Sequence, residues 1–226
     1  MNSLNLTPRL KKIFELVPEN NCTADIGTDH AYIPIALVEE HVANHSIASD
    51  INRGPIERAN QNISKHNLSE KIETRLGPGL TTLSKGEAQV IIIAGMGGLL
   101  IADILEASRD VVNSAELLIL QPMTAVTELR SHLSKNGYAV VSEHLVAEED
   151  KLYNIITVKP SGENPYTKQE LYLGKNLSTT SPQLFERYRQ AVITKLTRRA
   201  EGLKKSQTPE NKQALCEIQG VLDILK

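Results

Sequence analysis

The residues best equipped for chemistry begin at Asp25-Ile26-Gly27-Thr28-Asp29-His30, where an apolar run ends in a carboxylate, a glycine and a second carboxylate. That order reads as the end of a buried strand, a tight turn and the start of a helix, a layout that sets backbone N–H groups and a helix N-terminus in front of a ligand. An acid at the strand tip suits a ligand carrying an amine or a positive charge better than one carrying phosphates. Only one glycine stands where a dinucleotide fingerprint needs three. Downstream, Ser46-Ile47-Ala48-Ser49-Asp50 is a second apolar run ending in an acid, a little over the roughly 20 residues past the turn at which nucleotide-binding folds place a ribose-binding carboxylate. A third apolar run ends in Ala94-Gly95-Met96-Gly97-Gly98. In an open parallel sheet such tips surround the crevice where ligands bind. Each signal alone has a plainer reading: Asp29 could cap the following helix, and the glycines after Ala94 could serve close helix–strand packing.

The elements that would position these tips follow from periodicity. Apolar residues at helical spacing predict a first helix over 7–16, with Thr7 as N-cap and Pro8 at the first helical position. Strands are expected at 23–26, 46–50, 72–76, 88–94 and 117–122, with the fourth, Ala88 to Ala94, apolar throughout like a central parallel strand covered on both faces. Helices are expected at 32–40, 55–66 and 125–136, the last stopped by Gly137, and another follows Gly98. Residues 138–145 and 152–158 leave no room for a helix between them, so they should pair as an antiparallel hairpin. Strand–helix alternation closed by such a hairpin is the outline of the α/β, Rossmann-like class I methyltransferase sheet, seven strands with the last antiparallel between the fifth and sixth. Dinucleotide dehydrogenases usually lack that reversed strand.

Composition then shifts to the linker Pro160-Ser161-Gly162-Glu163-Asn164-Pro165. Beyond it, Phe185, Tyr188, Val192, Leu196 and Leu203, and then Leu215, Ile218, Leu222 and Leu225, keep three-or-four spacing on either side of a break at Ser206-Gln207-Thr208-Pro209. Two antiparallel helices bury both stripes most simply. The expected division is a nucleoside-binding domain over 1–160 and a small C-terminal α-helical, coiled-coil-like domain over 161–226.

Composition excludes several classes. The 226 residues carry a net charge of −2, so any nucleic-acid binding needs a local patch. From Phe185 to Lys226 nine basic residues face five acidic ones, and Arg187, Arg198, Arg199, Lys204 and Lys205 are the candidates to track RNA phosphates, the alternative being a solvated helix face. Cys22 and Cys216 stand far apart and outside any CxxC pair, which points to a reducing cytoplasm rather than a disulfide or zinc framework. The spacing of His41, His45, His66, His132 and His144 implies no metal. Residues 1–12 lack the apolar core of a secretory signal, and the greasiest window, 90–105, is broken by glycines and Asp103, so no membrane span is expected.

Asp25-Ile26-Gly27-Thr28-Asp29-His30-Ala31-Tyr32-Ile33-Pro34, Gly54-Pro55, Ala94-Gly95-Met96-Gly97-Gly98 and Leu118-Ile119-Leu120-Gln121-Pro122 closely resemble the bacterial tRNA (adenine-22-N1)-methyltransferase family. The resemblance extends over essentially the whole chain and implies methylation of an adenine N1 in tRNA, with S-adenosyl-L-methionine as cofactor and S-adenosylhomocysteine as its product. It implies that Asp25 and Gly27 line the methionine part of the cofactor, and that Asp50, followed by Ile51, holds the ribose. Gly77, Pro78 and Gly79 would lie near the cofactor adenine, and Ala94, Gly95 and Met96 would border the methyl-transfer crevice. Asp29 resembles the family carboxylate beside the reacting adenine. Arg9 either reaches the cofactor carboxylate or is a surface arginine; His30 either assists in the pocket or is structural. Two positions depart from the family pattern: Pro78 stands where an acid is usual, and Met123 where an asparagine is frequent. They keep two alternatives in view, a non-catalytic tRNA-binding protein and a methyltransferase for a small molecule or protein.

Overall fold

The computed structural model describes residues 5–162, 164–205 and 208–225. Glu163 of the expected linker, Ser206 and Gln207 of the expected break, residues 1–4 and Lys226 lie outside them. After α1 (Pro8–Leu16), strands and helices alternate: β1 (Asn20–Ile26), α2 (Tyr32–Glu39), β2 (Ala43–Asp50), α3 (Arg53–Lys65), β3 (Ile72–Leu76), β4 (Val90–Gly97), α4 (Gly98–Ala107), α5 (Arg109–Val112), β5 (Leu117–Thr124) and α6 (Val126–Lys135). The hairpin β6 (Ala139–Glu148) and β7 (Lys151–Lys159) closes the sheet, whose strand order is β3-β2-β1-β4-β5-β7-β6. β7 runs antiparallel to both β5 and β6, and the remaining pairs are parallel. This is the Rossmann-like methyltransferase sheet expected from the alternation.

Position in the sheet explains the patterning. β4 lies between β1 and β5 with helices on both faces, so Val90, Ile91, Ile92 and Ile93 are all buried. On one face Ile13 of α1, Val17 just after it, and Ile33 and Leu37 of α2 pack on Val90, Ile92 and Ile119; farther out, Ile35 and Val38 meet Ala59, Ile63 and Ile72. Burying such side chains contributes about 1.5–3 kcal/mol each, which holds the strand tips in fixed relation.

Two boundaries differ from the periodicity. β1 and β2 begin at Asn20 and Ala43, several residues early, because their polar amino ends pair in the sheet without carrying an apolar signal. β4 does not stop at Gly95: register shifts on either side of Met96 absorb the irregularity, and Met96 and Gly97 pair on with Pro122 and Thr124. A polar tie also lies inside the fold. The fully buried Arg130 of α6 donates through Nε (3.0 Å) and Nη2 (2.6 Å) to Glu143 of β6, and through Nη2 to Asn154 of β7 (3.0 Å).

The chain divides into two compact units, the second beginning at Tyr166. That second unit holds α7 (Lys168–Leu173), α8 (Leu177–Thr180), α9 (Pro182–Lys204) and α10 (Pro209–Leu225). Leu173, Leu196, Ala200, Ile218, Val221 and Leu225 form its core. α9 and α10 are the expected hairpin, and Arg189 Nε near the start of α9 donates to the Leu225 carbonyl at the end of α10 (3.1 Å). The two short helices before it escape periodicity; α7 is started by a capping box in which Thr167 and Glu170 exchange hydrogen bonds of 3.2 and 2.7 Å.

Candidate functional site

Backbone hydrogen bonds draw the carboxyl ends of the strands into one edge. Gly27 and Thr28, just past β1, donate to the Ser49 carbonyl in β2 (2.8 and 2.9 Å), and Gly77, just past β3, donates to the Asp50 carbonyl (3.0 Å). Ile26 pairs with Ser49 on one side and Ile93 on the other. Asp25, Gly27, Asp50, Ile51, Gly77, Pro78, Gly79, Ala94, Gly95 and Met96 therefore share this edge, as their positions in the sequence require. Gly27 has φ +80°, a backbone conformation that favours glycine, and a Cβ there would lie 2.2 Å from Met96 Cε, so the tip of that flexible side chain closes over the β1 turn. Gly98 does the packing: its Cβ would meet the Ala125 carbonyl oxygen at 2.3 Å.

The three acids of the edge differ in surroundings. Asp25 is buried, which pushes its carboxyl up to about 6; the Asp50 charge adds to the rise, and a Thr28 hydrogen bond opposes it. Among the described residues no cation pairs with this buried acid, an arrangement that fits a ligand bringing its own positive charge. Asp50 accepts from the Asn52 backbone N–H through Oδ1 (2.7 Å). Asp29 is exposed and does not cap α2: the cap residue is Ala31, in the left-handed region, whose N–H donates to Thr28 Oγ1 (3.1 Å). The capping alternative for Asp29 thus falls. Its carboxylate is held instead by Arg58 of α3, through Nε at 2.9 Å and through Nη2, with His30 Nε2 at 3.4 Å. His30 in turn stacks on Tyr32, ring centroids 5.0 Å apart, and its carbonyl accepts from Asn62 Nδ2 (3.1 Å).

At the other end of the edge, the fully buried Gln121 organises two elements. Its Oε1 accepts from the Gly95 N–H (3.1 Å) and from Arg9 Nη1 (2.8 Å). Arg9 is therefore not the plain surface arginine the sequence allowed. Its backbone N–H donates to Glu148 (3.0 Å), its guanidinium lies over the Tyr153 ring, and its Nε is buried without a hydrogen-bond partner. A guanidinium so placed, with donors to spare, is equipped for a carboxylate. Arg58, Gln121 as a hub, Glu148 and Tyr153 had no place in the sequence reading of the site. Only Gln121 left a trace there, as the Gln-Pro that ends the fifth strand.

Arg187, Arg198, Arg199 and Lys204 are exposed along α9 in the second unit, and Lys205 is exposed at its C-cap. Among the described residues there is no group of His, Cys, Asp and Glu able to hold a metal ion, and no helix long and apolar enough to cross a membrane.

The methyltransferase-domain family model matches residues 6–156. Over its whole length the chain is 36% identical to the tRNA (adenine(22)-N(1))-methyltransferase of Bacillus subtilis (strain 168), covering 98% of that protein. The chain belongs to this methyltransferase family. The crystal structure of the B. subtilis tRNA methyltransferase TrmK superposes with a TM-score of 0.89 at 33% identity, covering 98% of this chain and 97% of that one. Sp1610 of Streptococcus pneumoniae, in complex with S-adenosyl-L-methionine, superposes with a TM-score of 0.79 at 32% identity, over 98% and 99% of the two chains. Against the family pattern, the two departing residues both stand exposed on the carboxyl edge. The Pro78 carbonyl accepts from Thr81 Oγ1 (2.7 Å), and Met123 Sδ accepts from Gln121 Nε2 (3.5 Å).

Proposed function

We propose that this protein transfers a methyl group from S-adenosyl-L-methionine to N1 of an adenine in tRNA, giving 1-methyladenosine and S-adenosylhomocysteine. The observation that carries the reading is the carboxyl edge itself: a buried acid with no cation paired to it among the described residues, a second acid at the β2 tip and a guanidinium with an unpaired donor, along one edge that also carries the exposed Asp29. These residues fit the cofactor. Asp25 would face its ammonium, Gly27 would let its methionine part approach the backbone, Arg9 would take its carboxylate and Asp50 its ribose hydroxyls, with Ile51 and Gly77-Pro78-Gly79 beside its base. When bound, the cofactor supplies an electrophilic sulfonium methyl. The adenine N1 lone pair forms the new C–N bond as the methyl's bond to sulfur breaks, and the positive charge passes to the adenine ring. Asp29, accepting from the adenine N6–H, would stabilise that growing charge, with Arg58 and His30 fixing the carboxylate's direction. Ala94, Gly95 and Met96 border the approach, so positioning supplies most of the remaining acceleration.

The α9 stripe would hold tRNA phosphates, the Phe185–Lys226 segment being the more basic part of an otherwise acidic chain. Replacing Arg198 and Arg199 together by Glu is expected to weaken tRNA binding about tenfold or more at moderate salt, with S-adenosylhomocysteine affinity unchanged. Filter binding over a salt series checks this, and equal affinities for the two proteins would remove α9 from the docking surface. A cytoplasmic setting follows from where these substrates are found. The function itself is tested by incubating the protein with labelled S-adenosyl-L-methionine and bulk tRNA and digesting the RNA to nucleosides. Label in 1-methyladenosine is the expected result; label elsewhere, or turnover without RNA, would overturn it.

A further inference from the structure

Among the described residues eight large apolar side chains are exposed, and six of them, Tyr32, Ile51, Leu76, Leu99, Leu100 and Met123, stand at or just past the carboxyl ends of β1 to β5. One exposed leucine needs no explanation, but a cluster at one edge does. Ile51 and Leu76 flank Asp50 and Gly77, on the side given above to the cofactor nucleoside. Leu99 and Leu100 have no such assignment. They are adjacent, 59% and 50% exposed, on the first turn of α4, two and three residues after Gly97. α4 completes its inward stripe without them, through Gly98, Ile101, Ala102 and Leu105. The start of the helix packs closely on the turn after β5, where a Cβ on Gly98 would lie 2.3 Å from the Ala125 carbonyl oxygen. Two bulky uncharged groups thus face solvent on the helical turn that follows the β4 tip, outside the core of the fold.

We propose that Leu99 and Leu100 are a wedge that occupies the space left in the RNA stack when the target adenine is drawn into the site. The inference rests on tRNA adenine being the substrate. N1 lies on the Watson–Crick edge of the base, so a stacked or paired adenine cannot present it to a methyl donor and must first leave the stack. Unstacking leaves an apolar gap between flat neighbouring bases, and side chains of this size fill such gaps in nucleic acids that proteins deform. The patch is continuous with the edge where the reacting base must arrive, so the bases flanking that adenine are what it meets.

The test compares the intact protein with Leu99→Ala/Leu100→Ala on two substrates, folded tRNA and the same tRNA carrying an abasic nucleotide next to the target adenine. The double variant is expected to lose about 10- to 100-fold in kcat/KM on folded tRNA and to come within about threefold of the intact protein on the abasic tRNA, where one stacking partner is gone and the gap beside it is already open. Its affinity for S-adenosylhomocysteine should not change. A second variant, Leu100→Lys, keeps an aliphatic stem but puts a charge at the tip, and should show the same loss and the same rescue. Loss of equal size on both tRNAs, or loss on neither, overturns the wedge. Because the intact protein methylates folded tRNA in the same experiment, those outcomes are distinct from failure of the methyltransferase reading, in which the intact protein would label no RNA.

Discussion

Replacing Asp29 by Ala is expected to lower single-turnover methylation of tRNA by roughly 10²- to 10³-fold, the range seen when one preorganised charge-stabilising group is removed. S-adenosylhomocysteine should still bind within about threefold. The fold survives because the Arg58–Asp29 pair is exposed, with side chains 46% and 58% accessible, and such pairs contribute little to stability. Arg58, left without its carboxylate, meets water. Asp29→Asn separates hydrogen bonding from charge: its amide oxygen still accepts from adenine N6–H but does not balance the developing cation, so its rate should fall between those of the native and Ala proteins. Rapid-quench measurement of labelled 1-methyladenosine checks the series. An Asp29→Ala protein with native rates would remove Asp29 from the chemistry.

The second large effect concerns the buried acid at the β1 tip. Asp25→Asn is expected to weaken S-adenosylhomocysteine binding roughly 10²-fold, since a desolvated ammonium would lose its counter-charge, while stabilising the ligand-free protein. The sign follows from linkage. The folded carboxyl is raised from 3.8 to about 6, so between those pH values the native state holds more protons than the unfolded state. Stability therefore falls as pH rises through that window and stays lower above it, by about 2–3 kcal/mol. Asn carries no such cost. The bound ammonium would pull the Asp25 carboxyl back down, so native affinity should rise with pH up to about 6 and then level off, whereas the Asn protein's stays flat. Calorimetric titration and thermal unfolding from pH 5 to 8 check both halves. A pH-independent native affinity, or an Asn variant that binds normally, would contradict the role assigned to Asp25.

The sequence announced the fold through features that are local and periodic. The unbroken apolar stretch from Val90 to Ile93 reads like a central strand covered on both faces, and the short spacer between β6 and β7 left no room for a crossover helix, which pointed to the reversed strand. The strand-tip acids were legible because the C-terminal ends of parallel strands converge by construction. Long-range side-chain partners were not. Arg58 reaches Asp29 across 29 residues of chain, and Arg9 reaches Gln121 across 112; no spacing rule encodes either bond. Helix boundaries fixed by capping escaped for a related reason. The capping box of α7 lies in a stretch too short for apolar periodicity, and Thr28 rather than Asp29 satisfies the Ala31 N–H because the turn carries Ala31 into the left-handed region.

Whether one edge of the sheet holds the cofactor in a defined direction is decided by a crystal structure of the protein with S-adenosylhomocysteine. It should show the ammonium on Asp25, the carboxylate at Arg9, the ribose hydroxyls on Asp50, and the sulfur turned toward the space beside Asp29. The ligand at the opposite end of the sheet, in the 340 Å³ cavity lined by Cys22, Arg75 and Glu87, or bound at the carboxyl edge without touching Asp25 and Asp50, would contradict that placement.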